Sequence, residues 1–478
     1  MRDLLVIMPE IVLAIMACVC LVVDLFVSAK TRYITYLFSQ ASLILTAICC
    51  VFFPGDPQTS AFMGQFIADP FAQVIKIFIL LLMFFVLLYS RNYVQNHKIA
   101  YGEFHALTLF STLGMMFLVS AQSLLILYLG LELLTLPLYA LVALQKDSSV
   151  SVEAGIKYFV MGALASGMML YGISLIYGIT GNIGLKEVAD SLQALSGANV
   201  YLGMMGGIFI IVGLAFKLGA VPFHMWVPDI YQGAPTNVTL LIGTAPKVAA
   251  FGMAYRLLHD TFPAFLDTWS QFLMVIAVLS IALGNIVAIS QTNIKRLFAY
   301  STIAHVGFLF LALMVAKDIG YAPAMYYIIT YALVAACAFG ILIFLSQQDV
   351  DCEKLSDLKG LASRSPFLAF LMLLVAFSLA GVPPTVGFYA KFLVLSSLVD
   401  AGYTWLAAFV VLFSVIGAYY YLKIVRVMYF DTPEVPYPVR GTLDMRIALS
   451  VNGIAILGLG LIPGPLYVIC QQVLKSML

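Results

Sequence analysis

The stretch Gly213–Gly252 reads GLAFKLGAVPFHMWVPDIYQGAPTNVTLLIGTAPKVAAFG. Two apolar runs in it each carry one lysine near the middle, Lys217 or Lys247, and three prolines interrupt the sequence between them. Inside a membrane, a proline-opened helix is tolerated only where the freed backbone groups meet protein or water. A lysine at the bilayer centre costs about 2.5–3.5 kcal/mol. The two features together predict a hydrated ion path at a broken membrane helix.

A second stretch far downstream repeats this arrangement. Leu379–Phe392 reads LAGVPPTVGFYAKF, in which two glycines and two prolines precede Lys391. The two broken segments fall in the seventh and twelfth predicted spans, and such an odd separation makes corresponding helices cross in opposite directions, as in transporters with inverted repeats. We therefore predict two five-helix repeats, at 104–260 and 261–432. Three N-terminal helices at 1–103 precede them, and a C-terminal helix in 433–478 follows.

The composition indicates an integral membrane protein. Of the 478 residues, 63% are hydrophobic and only 10% are charged, whereas a soluble chain carries about 25% charged residues. Because a span needs about 20 apolar residues, we predict an all-α polytopic membrane protein with about fourteen transmembrane helices. The predicted spans are 4–28, 33–53, 70–90, 105–120, 123–144, 154–180, 203–231 (broken), 236–258, 270–291, 297–315, 321–346, 365–400 (broken), 403–430 and 445–470. The polar stretch 185–196 is predicted as a short surface helix. The net charge of +1 gives no indication of nucleic-acid binding.

Basic residues set the expected orientation. Loops after odd-numbered spans carry most of them: Lys30, Arg32, Arg91, Lys98, Lys146, Lys295, Arg296, Lys354, Lys359, Arg364, Lys423, Arg426, Arg440 and Arg446. The termini and the other loops carry only Arg2, Lys186, Arg256, Lys317 and Lys475. By the positive-inside rule, we expect a multi-pass protein, most simply of a bacterial inner membrane, with both termini on the periplasmic side.

The seven cysteines show no metal-ligand spacing. Six lie in or beside apolar runs and one lies in a loop: Cys18, Cys20, Cys49, Cys50, Cys337 and Cys470, with Cys352 in the loop. Because none forms a C-x-x-C pair, neither an iron–sulfur cluster nor a zinc site is expected. Such cysteines usually act as small buried hydrophobic residues.

Glu132 is predicted near mid-membrane, about nine residues into its span. A buried carboxylate needs a cation, and Lys217 is the available partner. Such a pair either locks two helices together or acts as a proton switch. Burial destabilises the charged ammonium and a nearby carboxylate stabilises it, so separation of the pair would release the proton toward Lys247 and Lys391. We favour the switch because Lys217 lies on a broken helix.

Two further bases, Lys76 and Lys157, lie close enough to helix ends to snorkel. Lys76 has the alternative of lining an ion path. Asp229 and Lys295 are expected at the membrane faces, and Glu10, Asp24 and Glu153 near solvated span ends: these five carboxylates and bases are given no role in the relay.

Two histidines are candidate proton carriers because histidine titrates near neutrality. His224 lies at the first break, and His305 lies near the middle of the tenth span, where it could connect Lys247 with Lys391. A histidine among apolar residues is more often a satisfied core residue. Tyr300, Ser301 and Thr302 could supply hydroxyls beside His305: we expect His305 to be the better carrier.

These residues also carry a family resemblance. The run KLGAVPFHMWVPDIYQGAPT from Lys217 to Thr236 resembles the antiporter-like membrane subunits of respiratory complex I, related to Mrp-type cation/proton antiporters. Tyr231–Pro235 is most similar to the subunit N branch, the homologue of mitochondrial subunit 2, rather than to branches L and M. APKVAAFG around Lys247 and GFYAKF around Lys391 fit as well. The resemblance covers essentially the whole chain.

The resemblance implies a fourteen-helix fold and one step of proton translocation, driven by quinone reduction elsewhere in the complex. It assigns the glutamate–lysine pair to Glu132 and Lys217, the central lysine to Lys247 and the outer lysine to Lys391. It implies that flavin, iron–sulfur clusters and quinone belong to partner subunits, and that this chain binds no cofactor or metal. The implied partners are peripheral and membrane subunits, especially neighbouring antiporter-like subunits, and lipids.

Two alternatives to a proton channel of NADH:quinone oxidoreductase stay open. One is an Mrp-type cation/proton antiporter subunit without a redox partner, which would not copurify with flavin and iron–sulfur proteins. The other is a scaffold that no longer pumps and only completes an assembly. In a scaffold, Lys391→Ala would leave pumping unchanged.

Overall fold

The computed structural model describes residues 2–28, 31–53, 59–97, 99–346, 351–432 and 442–476. Lys30, Lys98 and Arg440, three of the bases used to predict the orientation, lie outside these residues, as does the start of the predicted unit 433–478. Within the described ranges the α-helices are α1 (Arg2–Val6), α2 (Met8–Phe26), α3 (Tyr33–Phe52), α4 (Pro70–Asn96), α5 (Tyr101–Val119), α6 (Leu124–Val142), α7 (Ser149–Thr180), α8 (Leu185–Gln193), α9 (Ala198–Leu218), α10 (Trp226–Gly233), α11 (Thr236–Gly243), α12 (Ala245–Tyr255), α13 (Leu266–Ser290), α14 (Ile294–Val315), α15 (Lys317–Leu345), α16 (Leu361–Arg364), α17 (Pro366–Ala380), α18 (Val386–Asp400), α19 (Thr404–Phe430), α20 (Leu443–Leu461) and α21 (Gly464–Lys475).

Thirteen helices in the described part of the chain are long and apolar enough to cross a membrane. The interrupted pair α17 and α18 occupies the place of the twelfth predicted span, and α8 is the predicted surface helix. The all-α membrane fold predicted from composition is therefore confirmed. One short antiparallel hairpin, β1 (Ser60–Ala61) with β2 (Phe66–Ile67), was not predicted.

Local signals explain where the helices begin. Asp69 caps α4 by accepting a 2.7 Å hydrogen bond from the Ala72 amide, and Pro70 occupies the first turn. Ser123 and Ser148 cap α6 and α7 in the same way. A polar N-cap satisfies a backbone N–H group that has no partner in the first turn of a helix, and a proline removes one. Because these signals are local, the predicted helix starts lie within a few residues of the observed ones.

The helices differ in how much of their surface the chain covers. Residues 236–258 are buried throughout, and α14 and α15 are almost as buried, whereas only about a third or less of α2, α7 and α19 is buried. An apolar exposed face on a membrane helix suits lipid or a neighbouring subunit. The innermost helices are thus those that carry Lys247 and His305.

The eighth span was predicted as continuous, but the structure interrupts it. Thr244, with φ −120° and ψ −99°, separates α11 from α12. A π-helix at Arg256–Thr261 then extends α12. No proline or glycine pair marks this break as strongly as the other two, since Gly243 and Pro246 are its only local signals. Lys247 therefore lies at the start of a half-helix.

Several charged residues occupy positions different from those expected. Lys76 does not snorkel and Glu10 is not solvated: Lys76 Nζ lies 2.5 Å from Glu10 Oε1, and these side chains are 5% and 1% exposed. Lys295 is also buried, with its ammonium 2.6 Å from Glu353 Oε1. Arg256, counted as a loop base, is fully buried in helix. In each case a partner far away in sequence removes the charge from solvent.

The pair Glu10–Lys76 makes a stability prediction. Glu10→Gln should destabilise the subunit by roughly 3–5 kcal/mol because it leaves an uncompensated buried ammonium, whereas Glu10→Gln with Lys76→Met should return close to wild-type stability. Thermal unfolding of the purified assembly in detergent measures both. Asp444→Asn, which breaks the half-exposed pair with Arg91, is the control and should cost less than about 1 kcal/mol. Equal losses in the single and double Glu10 variants would contradict the ion-pair interpretation.

Candidate functional site

The two breaks predicted from proline and glycine end their helices with the same hydrogen bonds. Gly219, at φ 81°, donates to the carbonyls of Ala215 and Phe216 after α9. Gly381, at φ 87°, donates to the carbonyls of Phe377 and Ser378 after α17. A left-handed residue after a helix is favourable for glycine because it has no Cβ. The agreement supports the predicted repeat, whose unit boundaries stay a prediction.

Two of the three lysines predicted to form the relay donate to carbonyls at these helix ends. Lys247 Nζ donates to the Leu218 carbonyl at the end of α9. Lys391 Nζ donates to the carbonyls of Leu379 and Ala380, at 2.9 and 3.0 Å, at the end of α17. The last carbonyls of a helix lack intrahelical partners and carry partial negative charge. Each break therefore forms an ammonium site from backbone alone.

Aromatic rings complete both ammonium sites. Lys247 Nζ lies 5.4 Å from the ring centre of Trp226, and Lys391 Nζ lies 5.1 Å from that of Phe308. Ring faces attract cations, more strongly where water is excluded. Lys247 is 1% exposed, whereas Lys391 is partly exposed at the surface of the chain. Neither site has a carboxylate as its partner in the described part of the molecule, so either ammonium can lose its proton without leaving a buried anion.

The expected direct pair between Glu132 and Lys217 is not formed. Lys217 Nζ donates instead to Thr135 Oγ1 at 2.9 Å, and the Thr135 hydroxyl donates to the Leu131 carbonyl. Among the described residues Glu132 Oε1 has no hydrogen-bond partner although it is buried. Thr135 lies three residues after Glu132 on α6, so it occupies the same helix face. A hydroxyl thus takes the place predicted for the carboxylate.

Lys217 also borders a small cavity of about 10 Å³. Thr135, Tyr139 and Tyr158 line it together with small residues of α7 and α9. A space of this size is near the minimum for one water molecule. Lys217 therefore has room to exchange its threonine partner for another.

His305 lies inside a cluster of hydroxyl groups. Its Nδ1 is 2.6 Å from the Tyr327 hydroxyl and its Nε2 is 3.1 Å from the Tyr421 hydroxyl. The Tyr421 hydroxyl is also bonded to Ser301 Oγ. Both ring nitrogens are therefore engaged, and which one carries the proton is set by these partners. Of the hydroxyl residues predicted here, Ser301 takes part directly.

A second cavity joins this cluster to the Lys391 site. It measures about 20 Å³ and is lined by His305, Tyr327, Ser378 and Leu379 among others. Leu379 supplies the carbonyl that accepts from Lys391. Since about one water molecule fits such a volume, there is room for one water between His305 and Leu379 at the end of α17.

The remaining candidates differ in their surroundings. Thr302 Oγ1 accepts a 2.7 Å hydrogen bond from Tyr331 on α15. Tyr300 packs under the Arg296 guanidinium at 5.9 Å. His224 is 8% exposed in the first break, and within the described ranges its Nδ1 has no hydrogen-bond partner. The Nδ1 of His224 therefore makes no hydrogen bond to the other residues predicted for the relay.

A polar cluster that the sequence did not predict lies at the start of α11, the helix segment that leads to Lys247. Tyr93 donates to both oxygens of Asp351, at 2.8 and 2.9 Å, and accepts from the Thr236 amide at 3.2 Å. Burial alone would raise the pKa of Asp351, but His97 and Lys295 outweigh it and hold this pKa below its ordinary value of 3.8. Asp351 lies outside the membrane-spanning helices and stays ionised at neutral pH.

No group of three or more histidine, cysteine or acidic side chains able to hold a metal ion occurs among the residues that the structure describes. The site is instead built from lysines, hydroxyls and backbone carbonyls.

Comparison with known proteins agrees with this architecture. Residues 121–417 match the family described as NADH:quinone oxidoreductase/Mrp antiporter, TM. NADH-quinone oxidoreductase subunit N of Thioalkalivibrio sulfidiphilus is 51% identical over 463 residues, covering 97% of this chain and 96% of the relative. The corresponding subunit N of Thiobacillus denitrificans is 49% identical over 470 residues, covering 98% and 97%.

Solved structures have the same fold. A chain of respiratory complex I from Thermus thermophilus with bound aureothin superposes with a TM-score of 0.81 at 31% identity, covering 96% of this chain and 98% of that one. A chain of the Mrp complex from Dietzia sp. reaches a TM-score of 0.81 at 20% identity, covering 100% and 97%, which is a likeness of fold alone. The full-length identity to subunit N decides between the two groups. This chain belongs to the NADH-quinone oxidoreductase subunit N family, a branch of the antiporter-like membrane subunits of complex I.

Proposed function

We propose that this chain moves protons through a relay of Glu132, Lys217, Lys247, His305 and Lys391, driven by quinone reduction in partner subunits. The observation that carries the proposal is the pair of ammonium sites made from helix-end carbonyls at the two breaks. An ammonium that is held by neutral carbonyls pairs with no fixed countercharge, so its proton can leave and return. A structural lysine would instead be matched by a carboxylate.

The first step of the relay involves Lys217. In the arrangement seen, Lys217 donates to Thr135, while a Glu132 oxygen is buried and unpartnered nearby. Movement of Lys217 from the hydroxyl to the carboxylate would stabilise its charge, and the reverse movement would favour transfer of the proton toward Lys247. Thr135 is therefore the partner of Lys217 in the resting arrangement of the switch, whereas the sequence predicted only Glu132 as its partner.

The last step of the relay lies within the second predicted repeat. His305 with Tyr327, Tyr421 and Ser301 forms a continuous set of hydroxyl and imidazole groups that ends at the cavity beside the Lys391 site. Such a set can pass a proton by successive hydrogen-bond exchange, because a neutral imidazole has one donor and one acceptor nitrogen and each hydroxyl both donates and accepts. We assign no transfer to His224, whose Nδ1 makes no hydrogen bond to the others.

The energy for this transport comes from elsewhere. Moving one charge against 100 mV costs about 2.3 kcal/mol, and the cysteine spacing of the sequence predicts no iron–sulfur cluster in this chain. We therefore propose that flavin, iron–sulfur clusters and quinone lie in partner subunits of complex I, in line with the names of the relatives. Neighbouring antiporter-like subunits and lipids would cover the exposed apolar faces of α2, α7 and α19. We also propose that both termini face the periplasm.

Alanine variants of the three lysines test the proposal. Because a positioned proton-transfer group contributes about 10²–10⁴-fold, we expect Lys217→Ala, Lys247→Ala and Lys391→Ala each to lower proton-coupled quinone reduction at least about tenfold in proteoliposomes. Lys157→Ala is the matched control, since Lys157 is 43% exposed and pairs with Glu153 and Asp229 at the surface. Normal turnover with an intact proton gradient in all three relay variants would leave only the scaffold alternative.

A further inference from the structure

A fully buried ion pair ties the half-helix of Lys247 to the start of α4. Arg256 Nη2 lies 2.6 Å from Asp69 Oδ2, and both side chains are 0% exposed. The other guanidinium nitrogens are used as well: Nε donates to the Val119 carbonyl at 3.2 Å and Nη1 to Asp260 Oδ2 at 3.4 Å. Arginine presents its donors in a rigid planar fork, so these three partners fix its position and direction.

The position of Arg256 along the helix gives the pair its importance. The helix segment is separated from α11 by the irregular backbone conformation of Thr244, carries Lys247 in its first turn, and reaches Arg256 nine residues later, which is roughly 13 Å along the axis. One end is held by the hydrogen bond from Lys247 to Leu218, and the other end by Arg256. A movement of the half-helix at the Arg256 end would change the distance between Lys247 and its carbonyl.

The start of α4 is itself fixed, so Asp69 can serve as a reference point. Asp69 caps α4, and two turns later Lys76 pairs with Glu10 of α2. Between them the Phe71 ring packs 4.4 Å from the Tyr255 ring. The half-helix is therefore held against a helix that is anchored on its other side by an ion pair.

An ion pair at this place is not explained by stability. Replacing a buried ion pair by packed apolar residues is often neutral or stabilising, and the best-attested use of such a pair is to specify register. Apolar contacts tolerate sliding, whereas separation of these charges in a dry site is costly. On the basis of the relay proposed above, we infer that Arg256–Asp69 is a positioning pair: it sets the location of Lys247 relative to the Leu218 carbonyl and so couples quinone reduction to pumping.

The test uses a charge-free double variant in the whole complex. In Asp69→Asn with Arg256→Met, the asparagine oxygen can still cap α4, and Asp260 keeps His259 at 2.6 Å as its partner. We expect the complex to assemble and to reduce quinone, but to transport fewer protons per NADH in proteoliposomes. The number of protons per NADH should fall to the value measured for Lys247→Ala. A wild-type ratio would overturn the inference.

A double-mutant cycle separates positioning from general damage. If the pair acts through Lys247, then adding the double variant to Lys247→Ala will lower the proton ratio no further; additive losses would overturn the inference. Arg91→Met with Asp444→Asn, which removes the exposed pair at the other end of α4, is the control and should keep the wild-type ratio. A lowered ratio in this control would also count against a specific role.

Two outcomes need a second measurement. If the double variant fails to assemble, Arg256→Lys is used instead, because it keeps the positive charge but loses the planar guanidinium with its several donors. We expect this complex to assemble and to transport fewer protons per NADH. A wild-type number of protons per NADH again overturns the inference. If Lys247→Ala itself pumps normally, the relay fails rather than the positioning pair alone. A lowered ratio in Lys247→Ala beside a wild-type ratio in the pair variants rejects only the positioning role.

Discussion

Replacement of Lys217 by arginine should abolish the pumping contribution of this subunit although the positive charge is kept. Arginine stays protonated in proteins and cannot hand a proton on. It is also larger and planar, whereas Lys217 occupies a site with only about 10 Å³ of free space beside Thr135. Because a positioned proton-transfer group contributes about 10²–10⁴-fold, we expect proton-coupled quinone reduction to fall at least about tenfold.

The experiment compares Lys217→Arg with Lys157→Arg in reconstituted complexes, following the proton gradient with a pH-sensitive dye. Lys157 is 43% exposed at the surface and its carboxylate partners accept either base, so that variant should behave as wild type. Assembly is checked by the yield of intact complex. If Lys217→Arg assembles and pumps at the normal ratio, the residue acts only as a fixed charge and the proposed switch is wrong.

The positions of the breaks could be predicted because their signals are local. Pro222 with Gly219, and Pro384 with Gly381, favour a local interruption of the helix, and the structure ends α9 and α17 at those glycines. The lysines beside these breaks could also be selected from the sequence. A lysine buried in a membrane is energetically unfavourable, so its presence in an apolar run indicates a function. What the sequence could not supply was the partner of each ammonium: backbone carbonyls carry no sequence signal.

The partners that were missed are far apart in the chain. Glu10 and Lys76 belong to different helices, and Asp69 and Arg256 are separated by most of the first predicted repeat. Spacing within a helix can place two side chains on one face, but it gives no information on which helices pack together. Charge counting therefore assigned Arg256 to a loop, because an isolated arginine at the end of a span is usually solvated.

The tyrosines around His305 illustrate a different limit. The chain has 26 tyrosines, and aromatic residues in a membrane helix are common at interfaces and in cores alike. Tyr327 and Tyr331 are four residues apart on α15 and so share a face, which is a usable signal once His305 is chosen. Tyr421 lies on α19 and could be placed beside His305 only by the tertiary structure.

Gly460→Ala should separate the second break from the helix that packs on it, with a large loss of pumping. A Cβ at Gly460 of α20 would lie 2.1 Å from the Pro384 carbonyl oxygen and 2.6 Å from the Val386 nitrogen, which are backbone atoms that cannot rotate away. The contact must open by on the order of 1 Å to reach van der Waals distance. Val386 begins α18, so this shift would move Lys391 away from the carbonyls of α17, to which it donates at 2.9 and 3.0 Å.

Gly458→Ala on the same helix is the matched control, because a Cβ there meets no atom within 4 Å and alanine is the better helix former. We expect Gly458→Ala to assemble and pump as wild type, and Gly460→Ala to lower the proton ratio as strongly as Lys391→Ala. The measurement is the proton-to-NADH ratio of equal amounts of intact complex. Close approach between helices at small residues is general in membranes, and here the helix in contact with Gly460 carries Lys391. A normal proton-to-NADH ratio in Gly460→Ala would mean that Lys391 functions without the geometry of the second break.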